Sequence, residues 1–201
     1  MVKMKNKAVF LDRDGVINEL IYYEEQGIID SPFTVEQFKL FPNVEKAIKK
    51  FQKLGFKTII VSNQPGIAKK NFTVNTFEKV REKMIRELKK MDAEIDLEYY
   101  CFHHPDGKIR KFRKICKCRK PKPGLLFTAA KEHNINLSRS WMIGDGITDI
   151  KAGKVAGCKT ILIGRMKCDL CKILEYERIK PDFIAPNLFK ASLIIEKETR
   201  C

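Results

Sequence analysis

The 201-residue chain has no apolar run approaching the roughly 18 residues that a membrane-spanning helix requires. Its 11 glycines and 8 prolines are close to average, which excludes collagen-like and linker-like chains. It has one tryptophan and only 9% aromatic residues, so an extended base-stacking surface is not supplied. Acidic residues are the scarce class, 25 against 40 lysines and arginines. With 44% apolar residues the chain is too hydrophobic to be disordered. No repeat, low-complexity stretch or second domain is visible. One domain over residues 1–201 is expected, with a core at about 7–190. Met1 to Lys7 is basic, but the apolar run behind it, Ala8 to Leu11, is too short for a signal peptide. That predicts a cytoplasmic protein with no membrane partner.

What is present is positive charge and sulfur. The formal net charge is +15, which favours anionic partners: nucleic acid, anionic lipid or a phosphorylated metabolite. Lys108 to Lys122 holds nine basic side chains and no acidic one. Seven cysteines without a secretory signal argue for metal ligation over a disulfide framework.

Short apolar runs alternate with helical patterns. Lys7–Leu11, Lys57–Ser62, a run ending at Tyr99–Phe102, Ser140–Gly144, Thr160–Ile163 and Asp182–Ala185 read as strands. Between them, Val44, Ala47, Ile48, Phe51 and Leu54 recur at helical spacing, as do Phe77, Val80, Met84, Leu88 and Met91 behind a capping Thr73. Further helices are expected from Pro123 and over Thr148–Ala156. This pattern predicts a three-layer α/β fold with a mainly parallel sheet and no large cap. In such a sheet the site lies beyond the carboxyl ends of the strands. Asp12 and Asp14, Ser62 and Asn63, the 103–120 segment and Asp145 all follow apolar runs and should meet there.

Asp12-Arg13-Asp14 closes the first run, and Gly15 permits a sharp turn. One carboxylate can attack phosphorus while the second passes a proton to the leaving oxygen, and their repulsion invites a divalent cation. A solvated turn is the alternative for this pair taken alone. Asp145 can complete an oxygen-rich Mg²⁺ site. Asp149 either caps its helix or orients a lysine. Ser62 and Asn63 suit phosphate oxygens, Lys120 is expected as a mobile point charge, and Arg119 beside it is a forked donor.

Cys101-x-His103 and Cys116-x-Cys118 supply three thiols and an imidazole, a closed tetrahedral set with no position for water. This predicts a structural Zn²⁺ stapling the loop 101–118, with His104 competing for the histidine position. Cys168-x-x-Cys171 lacks the strand–helix context of a redox motif and reads as incidental. Cys158 reads as a buried filler, Cys201 as a tail thiol and Trp141 as core.

Together these segments resemble the haloacid dehalogenase superfamily, in the branch of heptose 1,7-bisphosphate and histidinol-phosphate phosphatases. Phe10 to Asn18, Val61 to Ala68, Cys116 to Gly124 and Met142 to Asp149 resemble its four motifs. The resemblance implies Asp12 as nucleophile, Asp14 as acid/base, Ser62 and Lys120 on phosphate, and Mg²⁺ at Asp12, Asp14 and Asp145. It implies a phosphomonoesterase acting on a small sugar phosphate, with heptose 1,7-bisphosphate ahead of histidinol phosphate. Gly146 stands where heptose enzymes often carry lysine, and residues 19–37 do not reproduce their loop. Two readings compete: a nucleic-acid 3′-phosphatase, which the charge favours and the missing aromatic groove disfavours, and a non-catalytic zinc-stabilised basic module, which leaves the carboxylates unexplained. No obligate protein partner is evident.

Overall fold

A computed structural model describes residues 6–164, 178 and 180–200. Cys168, Cys171 and Cys201 lie outside the described residues. Six strands form a sheet in the order β5-β4-β1-β6-β7-β8, and every neighbouring pair is parallel. They are β1 (Lys7–Leu11), β4 (Phe56–Asn63), β5 (Leu97–Cys101), β6 (Trp141–Gly144), β7 (Lys159–Ile163) and β8 (Phe183–Ala185). Parallel strands need crossovers, and from β1 to β7 helices supply them. These are α1 (Val44–Lys53), α2 (Gly66–Lys69), α3 (Val74–Lys90), α4 (Gly124–Glu132) and α5 (Ile147–Ala156), and a terminal α6 (Leu188–Arg200) follows β8.

Alternation along the strands separates two cores. Val9 and Leu11 of β1 and Trp141 and Ile143 of β6 face a cluster with Ala47 and Phe51 of α1, Val80 and Met84 of α3, and Ala191 and Ile195 of α6. Ala8, Phe10 and Met142 face the other way, onto Leu126 and Ala129 of α4 and Ala152 and Ala156 of α5. Both faces of the sheet are therefore covered, which is why its strands are continuous apolar runs. The expected layers, Trp141 in the core and buried Cys158 are all found. Thr73 caps α3 as its sequence predicts, accepting from the Thr76 N–H at 3.0 Å.

Three elements have no counterpart in the sequence reading. Two are the short α2 and the terminal α6. The third is an antiparallel hairpin, β2 (Ile21–Tyr23) with β3 (Ile28–Asp30), turning at Gly27, where φ is +61°. This hairpin stands between β1 and α1 in the chain.

Helix α5 packs very close to the sheet at Gly153. A Cβ there would lie 2.6 Å from Thr160 Cγ2 and 2.7 Å from Met142 Cβ, neither on a flexible chain end. Gly153→Ala should destabilise the protein by about 1–3 kcal/mol in urea denaturation, despite alanine's better helix propensity. A neutral or stabilising result would contradict the close packing.

Candidate active site

Register places the site. Leu11 is level with Ile60 of β4 and Ile143 of β6, so Asp12, Ser62 and Asp145 gather at the carboxyl ends of the strands. The backbone N–H of Asp12 donates to the Ile143 carbonyl at 2.9 Å, tying the first carboxylate to the end of β6. At Gly15 (φ +79°) the chain turns back, and a Cβ would lie only 2.1 Å from Asp145 Oδ2. Only glycine combines that left-handed backbone with so close an approach.

Asp12, Asp145 and Asp149 present carboxylate oxygens within 4.8 Å of one another. Asp14, which the sequence places among the magnesium ligands, is not in that group. Its carboxylate is engaged elsewhere: Oδ1 accepts from Arg13 Nη2 at 3.0 Å and Asn18 Nδ2 at 2.9 Å, and Oδ2 from Gln64 Nε2 at 2.6 Å. Arg13 is buried, also donates to Gln64 Oε1 at 3.0 Å, and lies over the Phe77 ring at 5.5 Å. Asp14 is thus oriented by three neighbours. Arg13 and Gln64 stand inside the quoted motifs but received no role from the sequence, because nothing local links them.

Lys120 corrects a second expectation. It is not a mobile charge on the surface but 2% exposed. Its Nζ lies 3.0 Å from Asp12 Oδ1 and 2.6 Å from Asp149 Oδ1, and donates to the Val61 carbonyl at 2.8 Å. Burial alone would lower its pKa, but Asp12 and Asp149 more than offset that and raise it, so the ammonium stays charged. Asp149 therefore serves both of the roles open to it: Oδ2 accepts from the Gly146 N–H at 3.1 Å at the start of α5, and Oδ1 meets Lys120. Asn63 is bound to the Lys120 backbone, its Oδ1 accepting at 3.0 Å and its Nδ2 donating at 3.1 Å. That exchange occupies the amide expected to face phosphate. Ser62 hydrogen-bonds the Asp12 carboxylate, and the Arg119 guanidinium reaches the His103 carbonyl at 3.3 Å.

The second cluster is Cys101, His103, Cys116 and Cys118, again within 4.8 Å of one another. Cys118 Sγ lies 3.2 Å from both Cys101 and Cys116, and His103 Nδ1 is 3.3 Å from Cys118 and 3.7 Å from Cys101. All three thiols are free. A tetrahedral zinc with Zn–S near 2.3 Å has S···S edges of about 3.8 Å, so these separations suit a four-coordinate metal. His104 turns away, its Nδ1 accepting from the Asp106 N–H at 3.1 Å, which leaves His103 in the cluster.

The carboxylate trio likewise suits a hard cation. Burial pushes Asp145 up to about 7, helped by the charges of Asp12 and Asp149 and opposed by Lys120. Burial raises Asp12 to about 6 against the pull of Lys120. Oxygen donors that cannot all ionise comfortably are those a divalent cation would relieve.

A family model described as HAD-hydrolase-like matches residues 117–191. The D-glycero-beta-D-manno-heptose-1,7-bisphosphate 7-phosphatase of Escherichia coli K12 is 37% identical over 158 residues, 79% of this chain and 78% of its own. The Haemophilus influenzae protein of the same name is 38% identical over 160 residues, covering 80% and 82%. The chain belongs to the heptose-bisphosphate phosphatase family of HAD-like hydrolases. Among solved structures, a D,D-heptose 1,7-bisphosphate phosphatase from B. bronchiseptica, complexed with magnesium and phosphate, is 26% identical with a TM-score of 0.76. That match covers 96% of this chain and 99% of the other, so the two share a fold.

A raised carboxyl pKa means that the folded state holds its proton more tightly than the unfolded chain does. The stability this confers is complete below the unfolded value near 4 and is lost as pH rises through about 7. Metal-free Asp145→Asn protein should therefore melt ~3 °C or more above the parent at pH 8, with the gap closing towards pH 4.5. Mg²⁺ should raise the parent's melting temperature and leave the variant's almost unmoved. A variant that is less stable at pH 8 would show that the carboxylates do not repel.

Proposed function

We propose that the chain is a Mg²⁺-dependent phosphomonoesterase that removes the 7-phosphate of D-glycero-D-manno-heptose 1,7-bisphosphate. The observation that carries this reading is the 37% identity to the E. coli enzyme of that name over 79% of the chain. The arrangement of Asp12, Asp14, Ser62 and Lys120 supports the chemistry. A carboxylate oxygen of Asp12 attacks phosphorus, and the bond from phosphorus to the sugar oxygen breaks. Asp14 hands its proton to that oxygen. Asp14 then takes a proton from water, whose oxygen displaces Asp12 and releases inorganic phosphate. Lys120 is already paired with Asp12, so its charge lies beside the group that receives the phosphoryl. Asp12 and Asp145 would hold Mg²⁺, while the oxygens of Asp149 are taken by Lys120 and the Gly146 N–H. When bound, the ion supplies positive charge to the transferring phosphoryl.

Asp12→Asn should lower kcat by at least ~10³-fold with the fold retained by circular dichroism, measured as phosphate release in Mg²⁺. Full activity in that variant would overturn the mechanism. In competition at equal concentration, heptose bisphosphate should be consumed ahead of histidinol phosphate. A preference for histidinol phosphate above ~10-fold in kcat/KM, about 1.4 kcal/mol, would reassign the substrate.

We infer that Cys101, His103, Cys116 and Cys118 hold one structural Zn²⁺, and that the enzyme works in the cytoplasm, where thiols stay reduced. With four protein ligands such a metal would activate no water and would fix the loop whose end delivers Arg119 and Lys120. Displacing such groups by ~1 Å can cost about 100-fold in rate. Cys118→Ser should lower kcat, speed proteolysis within residues 103–120 and leave the sheet folded and Mg²⁺ still required. Unchanged kcat and proteolysis in zinc-free protein would refute the staple.

A further inference from the structure

A cavity of about 680 Å³ opens beside Asp145, whose carboxylate lies within 4.8 Å of that of Asp12. Gly15 and Asp145 form one end of it, and Leu20, Tyr22, Ile29, Phe41, Ile163 and Leu188 form much of the wall. No lysine or arginine lines it among the described residues. The basic groups of the site, Arg119 and Lys120, are not part of this wall.

The hairpin supplies the most exposed part of the wall. Tyr22 and Ile29 are cross-strand partners, so they share one face, and each is 61% exposed. Two large apolar side chains held open to water contribute little to folding and mark a binding surface. The hairpin is also braced. Tyr23 stacks on Phe33 with ring centroids 4.1 Å apart, and its hydroxyl donates to the Ser31 carbonyl while accepting the Phe33 N–H. The apolar face is thereby presented on a fixed support, along a cavity whose other end reaches Asp145.

We propose that the chain has a second substrate class: phosphomonoesters of apolar alcohols, whose hydrocarbon part occupies this cavity. The inference rests on the Asp12 and Asp14 chemistry above and uses it unchanged. The phosphorus–alcohol oxygen bond breaks as Asp12 attacks, Asp14 protonates the departing alkoxide, and water hydrolyses the acyl phosphate. The net reaction is ester plus water giving alcohol and phosphate, with no further reactant.

The test is the series of n-alkyl phosphates from ethyl to hexyl, whose leaving oxygens are nearly equivalent. Full burial of a methylene is worth about fourfold, so kcat/KM should climb at least ~30-fold along the series. The slope should vanish in Ile29→Asp and persist in Ile29→Leu; Tyr22→Ser should also flatten it. Calorimetric titration with the matching n-alkylphosphonates in Mg²⁺ reads the same dependence as Kd and needs no turnover. A flat series in both measurements, or a slope that survives Ile29→Asp and Tyr22→Ser, overturns the proposal. Absent turnover of heptose bisphosphate with the alkyl slope retained would instead overturn the sugar assignment and support this one.

Discussion

Lys120 is the constraint on which the site depends. Its ammonium is buried among Asp12 from the end of β1, the Val61 carbonyl of β4 and Asp149 of α5. Three separate pieces of the fold therefore meet on one cation. Removing one partner of a buried ion pair leaves the other charge uncompensated, at a cost of about 3–5 kcal/mol. The lysine also reaches the site from the loop side of the molecule, so that loop must be in register with the sheet before the charges can pair. Asn63 sets this register through its exchange of hydrogen bonds with the Lys120 backbone.

One lysine is not enough to neutralise what surrounds it. Asp12, Asp145 and Asp149 against a single ammonium leave two negative charges, the amount one divalent cation carries. Burial and mutual repulsion hold Asp12 and Asp145 partly protonated near neutral pH, so the metal-free centre is stabilised less than a fully paired one. The Asp14 carboxylate is held by Arg13, Asn18 and Gln64 instead of by Lys120. Separating the two aspartates of one turn gives each a different environment, and different environments allow different roles in proton transfer.

The strands were readable because both faces of the sheet are buried, which makes their sequences continuous apolar runs. Helices α1 and α3 were readable because each buries one stripe and leaves the rest to water. The hairpin was not, since strands of three residues are too short to display alternation. Gly27, between Ile21-Tyr-Tyr23 and Ile28-Ile-Asp30, was the turn signal available for it. The burial of Lys120 was also illegible. Lysine is among the residues least often buried, and its partners lie 29 and 108 positions away in the chain. Asp12, Asp145 and the cysteine–histidine set were legible because their chemistry is written in local spacing. The roles of Arg13 and Gln64 depend on a contact between two strand ends and could be seen only in three dimensions.

The two loops flanking the carboxylates divide the work by chemistry. The segment from Cys101 to Cys118 begins at the end of β5 and finishes two residues before Lys120, so its conformation bears directly on the charged centre. It rests on an aromatic cluster: Phe102 meets both Phe77 and Phe112 edge-on, and Phe77 in turn lies beneath Arg13. A disturbance of this loop thus has two routes inward, through the backbone to Lys120 and through the rings to Arg13 and Asp14. The hairpin joins the same cluster at its base: Tyr23 stacks on Phe33, which meets Phe72 at 5.8 Å beside Phe77. Tyr22 and Ile29 lie on the opposite side of the hairpin from Tyr23, facing away from that support. On the proposed reading, the sheet-end carboxylates keep the reaction constant while this outward face would bear on substrate choice.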